Sequence, residues 1–322
     1  MNRKATQKVR EINFVFLLTI FVYIICSTVI SFIQNHIQIN KVVLVLVSQG
    51  VLILPTIGYV IYNKENILEL IRFKKVCITN VILLVLFTFF IMPFINLVNA
   101  ISMLFATNFT DETVTSIVSN YPLAIGIITI AFIPAILEES VYRGVFYNEY
   151  RKENILKGIL LSGLLFGMLH MNLNQFSYAF VMGIIFAFVI EATDSILSTM
   201  IIHFVTNATS VILVYLMPKI IEFANNNSTG TKVQNVVNSN DMTRQELMQS
   251  VISLAEIAAV MTPIAFFLYF AIAKKAGRWE QVLGIFKTKS EKDSKVRMLT
   301  LPLGIAFAVC VLFMVVGEFV QK

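Results

Sequence analysis

Residues 13–33 read NFVFLLTIFVYIICSTVISFI, and residues 76–98 read VCITNVILLVLFTFFIMPFINLV. Neither stretch holds a charge, and neither alternates apolar with polar positions. A helix needs about 20 apolar residues to cross ~30 Å of hydrocarbon, whereas a membrane β-strand would alternate over ~10-residue segments. Both stretches therefore predict membrane-spanning α-helices. The rest of the chain agrees. Of 322 residues, 57% are hydrophobic and 14% are charged, with a mean hydropathy of +0.79. Soluble domains carry about 25% charged residues. So few charges cannot cover a water-exposed surface, which excludes cytosolic, disordered, collagen-like and disulfide-scaffold classes.

Working outward, nine apolar spans emerge, at 12–33, 42–62, 76–98, 121–147, 158–172, 176–192, 195–217, 249–273 and 299–320. The fifth and sixth are short and form a helical hairpin across the polar turn Asn172–Gln175. The expected fold is an all-α polytopic membrane protein of about nine transmembrane helices. Residues 1–322 form one membrane domain, without internal repeats. The first span follows Arg3, Lys4, Lys8 and Arg10 but is too long for a cleaved leader and lacks a small-residue cleavage site, so it reads as a retained anchor.

Lys and Arg set the orientation. With the N-terminus in the cytoplasm, inner segments hold 20 of the 25 basic residues and outer segments hold 5. This is the positive-inside bias, and it predicts nine spans with the C-terminus outside. It also accounts for the net charge of +6 without nucleic acid, because basic cytoplasmic loops face anionic lipid. Two long loops read as solvated connectors: a polar extracytoplasmic one at 218–248 and a basic cytoplasmic one at 274–298. The richness in Ile, Asn and Lys suggests an AT-rich genome, so a bacterial plasma membrane is the expected location. Cys26, Cys77 and Cys310 lie in or beside apolar runs with no CxxC spacing, and read as buried structural thiols.

Ionisable groups inside a membrane span cost about 2.5–3.5 kcal/mol each and tend to mark function. Here they cluster in three spans. The fourth contains Glu138, Glu139 and Arg143; Glu139 and Arg143, four apart, share a helix face, while Glu138 is turned about 100° away. The fifth contains Gly163, Phe166, Gly167 and His170, with the two glycines forming a GxxxG packing surface. The seventh contains His203 and Asn207, again four apart. At a rise of about 1.5 Å per residue, Glu138 lies ~15 Å from Asn148, His203 ~14 Å from Asp194 and His170 ~20 Å from Lys157. All three can meet near mid-bilayer. His36 falls in an outer loop and reads as incidental.

One Glu, two His and an Asn around a cavity can activate water. Glu138 with His170 can take the proton from a water that attacks a peptide carbonyl, and His203 with Asn207 can donate to the oxyanion. No GxSxG elbow suggests a Ser nucleophile. The same groups could instead bind zinc as a His2Glu site, although no HExxH is present. Metal-free chemistry with no cofactor is the preferred reading.

In this order, Glu-Glu-x-x-x-Arg, Phe-x-x-x-His and His-x-x-x-Asn on separate helices resemble the CAAX protease and bacteriocin-processing family, also called Abi or type II CAAX prenyl endopeptidase-like. The resemblance covers roughly 121–217. It implies an intramembrane glutamic endopeptidase with Glu138 and His170 as the catalytic pair, His203 and Asn207 as oxyanion donors, and Glu139, Arg143 and Phe166 in support. It also implies an eight-helix core, which makes the ninth helix an addition. The implied partners are the lipid bilayer and a peptide or protein substrate, which can be lipid-modified. Two other readings stand beside it: a non-catalytic scaffold of the same fold that regulates a membrane enzyme, and a transporter using Glu138, Glu139 and Arg143 as an ion relay.

Overall fold

The computed structural model describes residues 3–108, 110–227, 242–287 and 296–320, and among these there is no strand. In chain order the helices are α1 (Arg3–Gln34), α2 (Lys41–Tyr62), α3 (Ile67–Leu70), α4 (Ile78–Met103), α5 (Thr110–Asn120), α6 (Leu123–Arg151), α7 (Ile155–Leu169), α8 (Leu173–Thr193), α9 (Ile196–Asn227), α10 (Arg244–Lys275), α11 (Trp279–Lys287) and α12 (Leu301–Val320). Eight of them are long and apolar enough to cross a membrane, and α7 is a shorter apolar helix. Each of the nine apolar spans thus holds one helix. Large apolar side chains such as Ile61, Phe223, Phe267 and Leu301 are at least 70% exposed on the outer faces. In water such a surface would aggregate, whereas hydrocarbon accommodates it without penalty.

Local chemistry sets several helix starts. Asn40, Asn66, Asn154 and Asn172 each accept a backbone N–H of the first turn, and Thr243 with Glu246 forms a capping box. Asn172 caps α8 directly, so the α7–α8 turn is shorter than the sequence suggested and Leu173–Gln175 are already helical. Met171 takes a positive φ of 47° there, letting the chain reverse within three residues.

The α7–α8 hairpin is packed backbone to backbone. A Cβ on Gly183 would lie 2.6 Å from Gly163 Cα, and one on Gly167 would lie 3.0 Å from Phe176 O. Only a missing side chain permits this approach, which is the use expected of the GxxxG face. Against the hairpin lies α6, whose course is not uniformly α-helical. Ile127–Phe132 and Ser140–Phe146 are π-helical, with Ile133 N–H donating to Ile128 O and Tyr147 N–H to Tyr142 O. Such wide turns recur at functional sites.

Two expected loops need correction. Within 218–248, α9 continues to Asn227 and α10 begins at Arg244; residues 228–241 lie outside the described residues. Within 274–298, α11 is an amphipathic helix, not a solvated connector. It buries Val282 and Ile285, stacks Phe286 on Phe188 at 5.9 Å and sets Trp279 edge-on to Phe270 at 4.7 Å. Residues 288–295 of that loop are also outside the described residues.

The end of the bundle that carries α3 and α11 is tied by ions. Glu191, 2% exposed, pairs with Arg72 and Arg151 at 2.9 Å, and its carbonyl accepts from Arg278 Nε at 2.7 Å. Asp194 accepts from Lys74 and, at 3.2 Å, from Arg72. Burial alone would raise the Asp194 carboxyl; Lys74, Arg72 and Arg278 outweigh it and hold the group below the usual carboxylate range. This network joins the α3–α4 connection to the ends of α6, α8 and α10.

Candidate active site

Three helices bring the polar groups together because each presents one polar face to the same interior. On α6, Glu139 and Arg143 are both fully buried and bonded at 2.9 Å. The guanidinium lies 4.3 Å from the Phe166 ring centre and 5.1 Å from that of Phe186, so aromatic faces cover what the carboxylate leaves open. Glu139 Oε1 also accepts from His203 Nδ1 at 2.9 Å. A carboxylate can only accept here, so the proton sits on Nδ1. The Nε2 edge of His203 is then turned toward Glu138, whose Oε2 is 3.9 Å away.

Glu138 faces away from the Glu139–Arg143 pair, as the helix geometry requires. It lines a cavity of about 360 Å³ that His170, His203, Asn207 and Phe166 also line. Glu139 and Arg143 stand behind this wall. His170 follows the last residue of α7, and its Nδ1 lies 2.7 Å from Phe166 O. A carbonyl only accepts, so Nδ1 carries the proton and Nε2 remains a free acceptor. Asn207 donates one of its two N–H bonds to Ile130 O at 3.1 Å and keeps the other. The cavity thus offers a carboxylate, an imidazole acceptor and an amide donor, held by helices that cannot shift independently.

Reasoning from ionisable groups missed one neighbour. Gln49 on α2 donates to Glu138 Oε1 at 2.8 Å. Its signal was a lone amide in the apolar run 42–62, between Ser48 and Gly50. Asn96 and Asn99 on α4 and Gln175 on α8 line the cavity further from Glu138's own helix. Among the described residues, no three His, Cys, Asp or Glu side chains come close enough to hold a metal ion. Cys26, Cys77 and Cys310 are all free thiols, but only Cys310 is buried as expected; Cys26 is half-buried, and Cys77, just ahead of the first turn of α4, is exposed.

Fold and site together define a multi-pass helical membrane protein whose interior carries acid, imidazole and amide groups around one cavity. Residues 120–209, from the last residue of α5 into α9, match the family model described as type II CAAX prenyl endopeptidase Rce1-like. That family implies a membrane endopeptidase of the CAAX-protease type. The matched segment is under a third of the chain and contains Glu138, Glu139, Arg143, Phe166, His170, His203 and Asn207. No curated protein and no solved structure matches the chain.

Proposed function

We propose that the chain is an intramembrane glutamic endopeptidase that needs no metal. Glu138 and the Nε2 of His170 take a proton from water held between them. The hydroxide adds to a peptide carbonyl carbon. Asn207, through its spare N–H, and His203, when it carries a proton on Nε2, donate to the oxyanion. The proton held by Glu138 then passes to the amide nitrogen as the C–N bond breaks, giving a carboxylic acid and an amine. Glu139 and Arg143 fix the His203 ring and act only through it. The substrate is a membrane-associated peptide or leader, as in bacteriocin processing or self-immunity. The membrane is the bacterial plasma membrane, with the chain's N-terminus on the cytoplasmic side.

One observation carries this reading: groups from three helices, far apart in sequence, line a single cavity deep in an otherwise apolar bundle. Cells lacking the gene, complemented with wild type or Glu138→Gln at matched levels, are compared by mass spectrometry of membrane and secreted peptides. A peptide cut only with wild type, and still cut in membranes treated with a chelator, supports it. If Glu138→Gln restores the wild-type peptide profile, the chain acts by binding and the protease reading fails.

A further inference from the structure

The cavity lining extends from Glu138 toward one end of the bundle. On α6 the cavity touches Ile130, Pro134 and Glu138, and nothing beyond. Past Glu138 the same helix presents Tyr142, Arg143, Phe146, Tyr147 and Tyr150, none with any exposed surface. The ion network of Glu191 and Asp194 closes the bundle beyond them. In the other direction the lining continues through Asn99, near the end of α4, and Gln175, in the first turn of α8. These helix ends lie together with the α1–α2 connection and the α7–α8 turn. The same bias holds on α2, where Val45 and Gln49 fall in the first half of Lys41–Tyr62, and on α8, where the lining stops at Met182, while on α9 it runs through the middle of the helix, from His203 to Val214.

The two ends also differ in charge. The described segments 63–75 and 274–287, together with Arg151 and Lys152, lie at the closed end. A Lys- and Arg-rich end faces the cytoplasm. The open end has Asn and Gln amides, and among the described residues no Lys or Arg lines the cavity. Amides offer both donors and acceptors, which suits the main chain of an extended peptide. A free C-terminal carboxylate would find no cation there.

The geometry points to a cavity that admits its peptide from the extracytoplasmic face, so that the substrate is an exported peptide or the outward segment of a membrane protein. This rests on the endopeptidase reading for the word substrate, but the direction of access can be measured without catalysis. In the full-length protein, Cys26 is replaced by Ser, Cys310 is kept as a buried folding reporter and Cys77, exposed at the closed end, is kept as an inner-face reporter. Gln175→Cys on α8 and Ser210→Cys on α9 are introduced singly as cavity reporters. A membrane-impermeant maleimide is applied to intact cells and to permeabilised cells.

The expected result is that both cavity cysteines label equally before and after permeabilisation. Cys77 labels only after it, and Cys310 only in denaturant. Cys77 labelling in intact cells, with the cavity cysteines silent until permeabilisation, would overturn the inference. So would two correctly folded cavity variants that label from neither side. A variant whose Cys310 labels without denaturant is misfolded, and the other variant then decides. Loss of the protease reading through Glu138→Gln leaves the labelling pattern unchanged, so the two failures are distinguishable.

Discussion

Arg143→Met tests whether the buried ion pair holds the site together. Arg143 and Glu139 have no exposed side-chain surface, and a 2.9 Å bond joins them. Met is nearly as long as Arg and uncharged, so it largely fills the space between Phe166 and Phe186. What it cannot do is neutralise Glu139. Breaking a buried pair by removing one partner costs about 3–5 kcal/mol, a change of 10²–10³ or more in the folding equilibrium. Removing both charges with Glu139→Gln/Arg143→Met leaves no uncompensated ion. The glutamine amide oxygen can still accept from His203, so only the charge assistance of that bond and the guanidinium's aromatic contacts are then lost, together ~1–3 kcal/mol. The double variant should therefore be more stable than Arg143→Met by about 1–3 kcal/mol. The assay is reversible unfolding in mixed micelles, with all four members of the cycle compared at one pH. If Arg143→Met costs less than about 1 kcal/mol and the single effects simply add, the pair is not a unit and the argument is wrong.

Gly183→Ala would drive a Cβ to 2.6 Å from the Gly163 backbone, so α7 and α8 must part. Overpacking should cost about 1–3 kcal/mol, and the displacement of His170 should slow peptide cleavage ~100-fold, measured as rate at matched protein level. Unchanged stability and rate would show that the close approach is dispensable. Gln49→Leu removes the donor to Glu138 Oε1. A hydrogen bond to a charged group contributes about 1.5–3 kcal/mol to stability, so the variant should unfold more easily by about that much, and cleavage should fall as Glu138 loses the group that positions it. Asp194→Asn probes the ion network by pH. The carboxyl is held below its ordinary range, so its stabilisation is present at neutral pH and is lost as pH falls through the depressed value. The stability gap between wild type and Asp194→Asn should persist near neutrality and close in strong acid; a gap that widens on acidification would reverse the assigned sign.

Hydrophobicity and charge count carried the spans, because each depends on composition over about 20 residues and not on tertiary contact. The separation of Glu138 from the Glu139–Arg143 pair was legible for the same kind of reason: i,i+4 spacing survives in α6 even where a π-helical stretch begins at Ser140. What escaped was short or distant. α5 and α11 are too short and too mixed in polarity to read as spans, and α11 is ordered by contacts with Phe188 and Phe270 that its own residues do not announce. Glu191 sits at the end of an apolar run, and its partners Arg72 and Arg151 are 119 and 40 residues away. Gln49 was hidden by a search restricted to ionisable groups, although an amide in hydrocarbon also needs a partner.

The wide turn at Ser140–Phe146 separates two anchoring jobs within one rod. Before it, Glu138 is aimed at the cavity; after it, Arg151 is aimed at Glu191. The angle between them is set by residue count together with the wide turn, and within its α-helical stretches each residue added or removed turns the remainder of the helix by about 100°. Over α6, then, the reading frame of the helix is itself a structural quantity. Substitutions there can be absorbed by neighbours, whereas a one-residue insertion or deletion leaves one anchor facing the wrong way unless a wide turn forms or is lost to take it up.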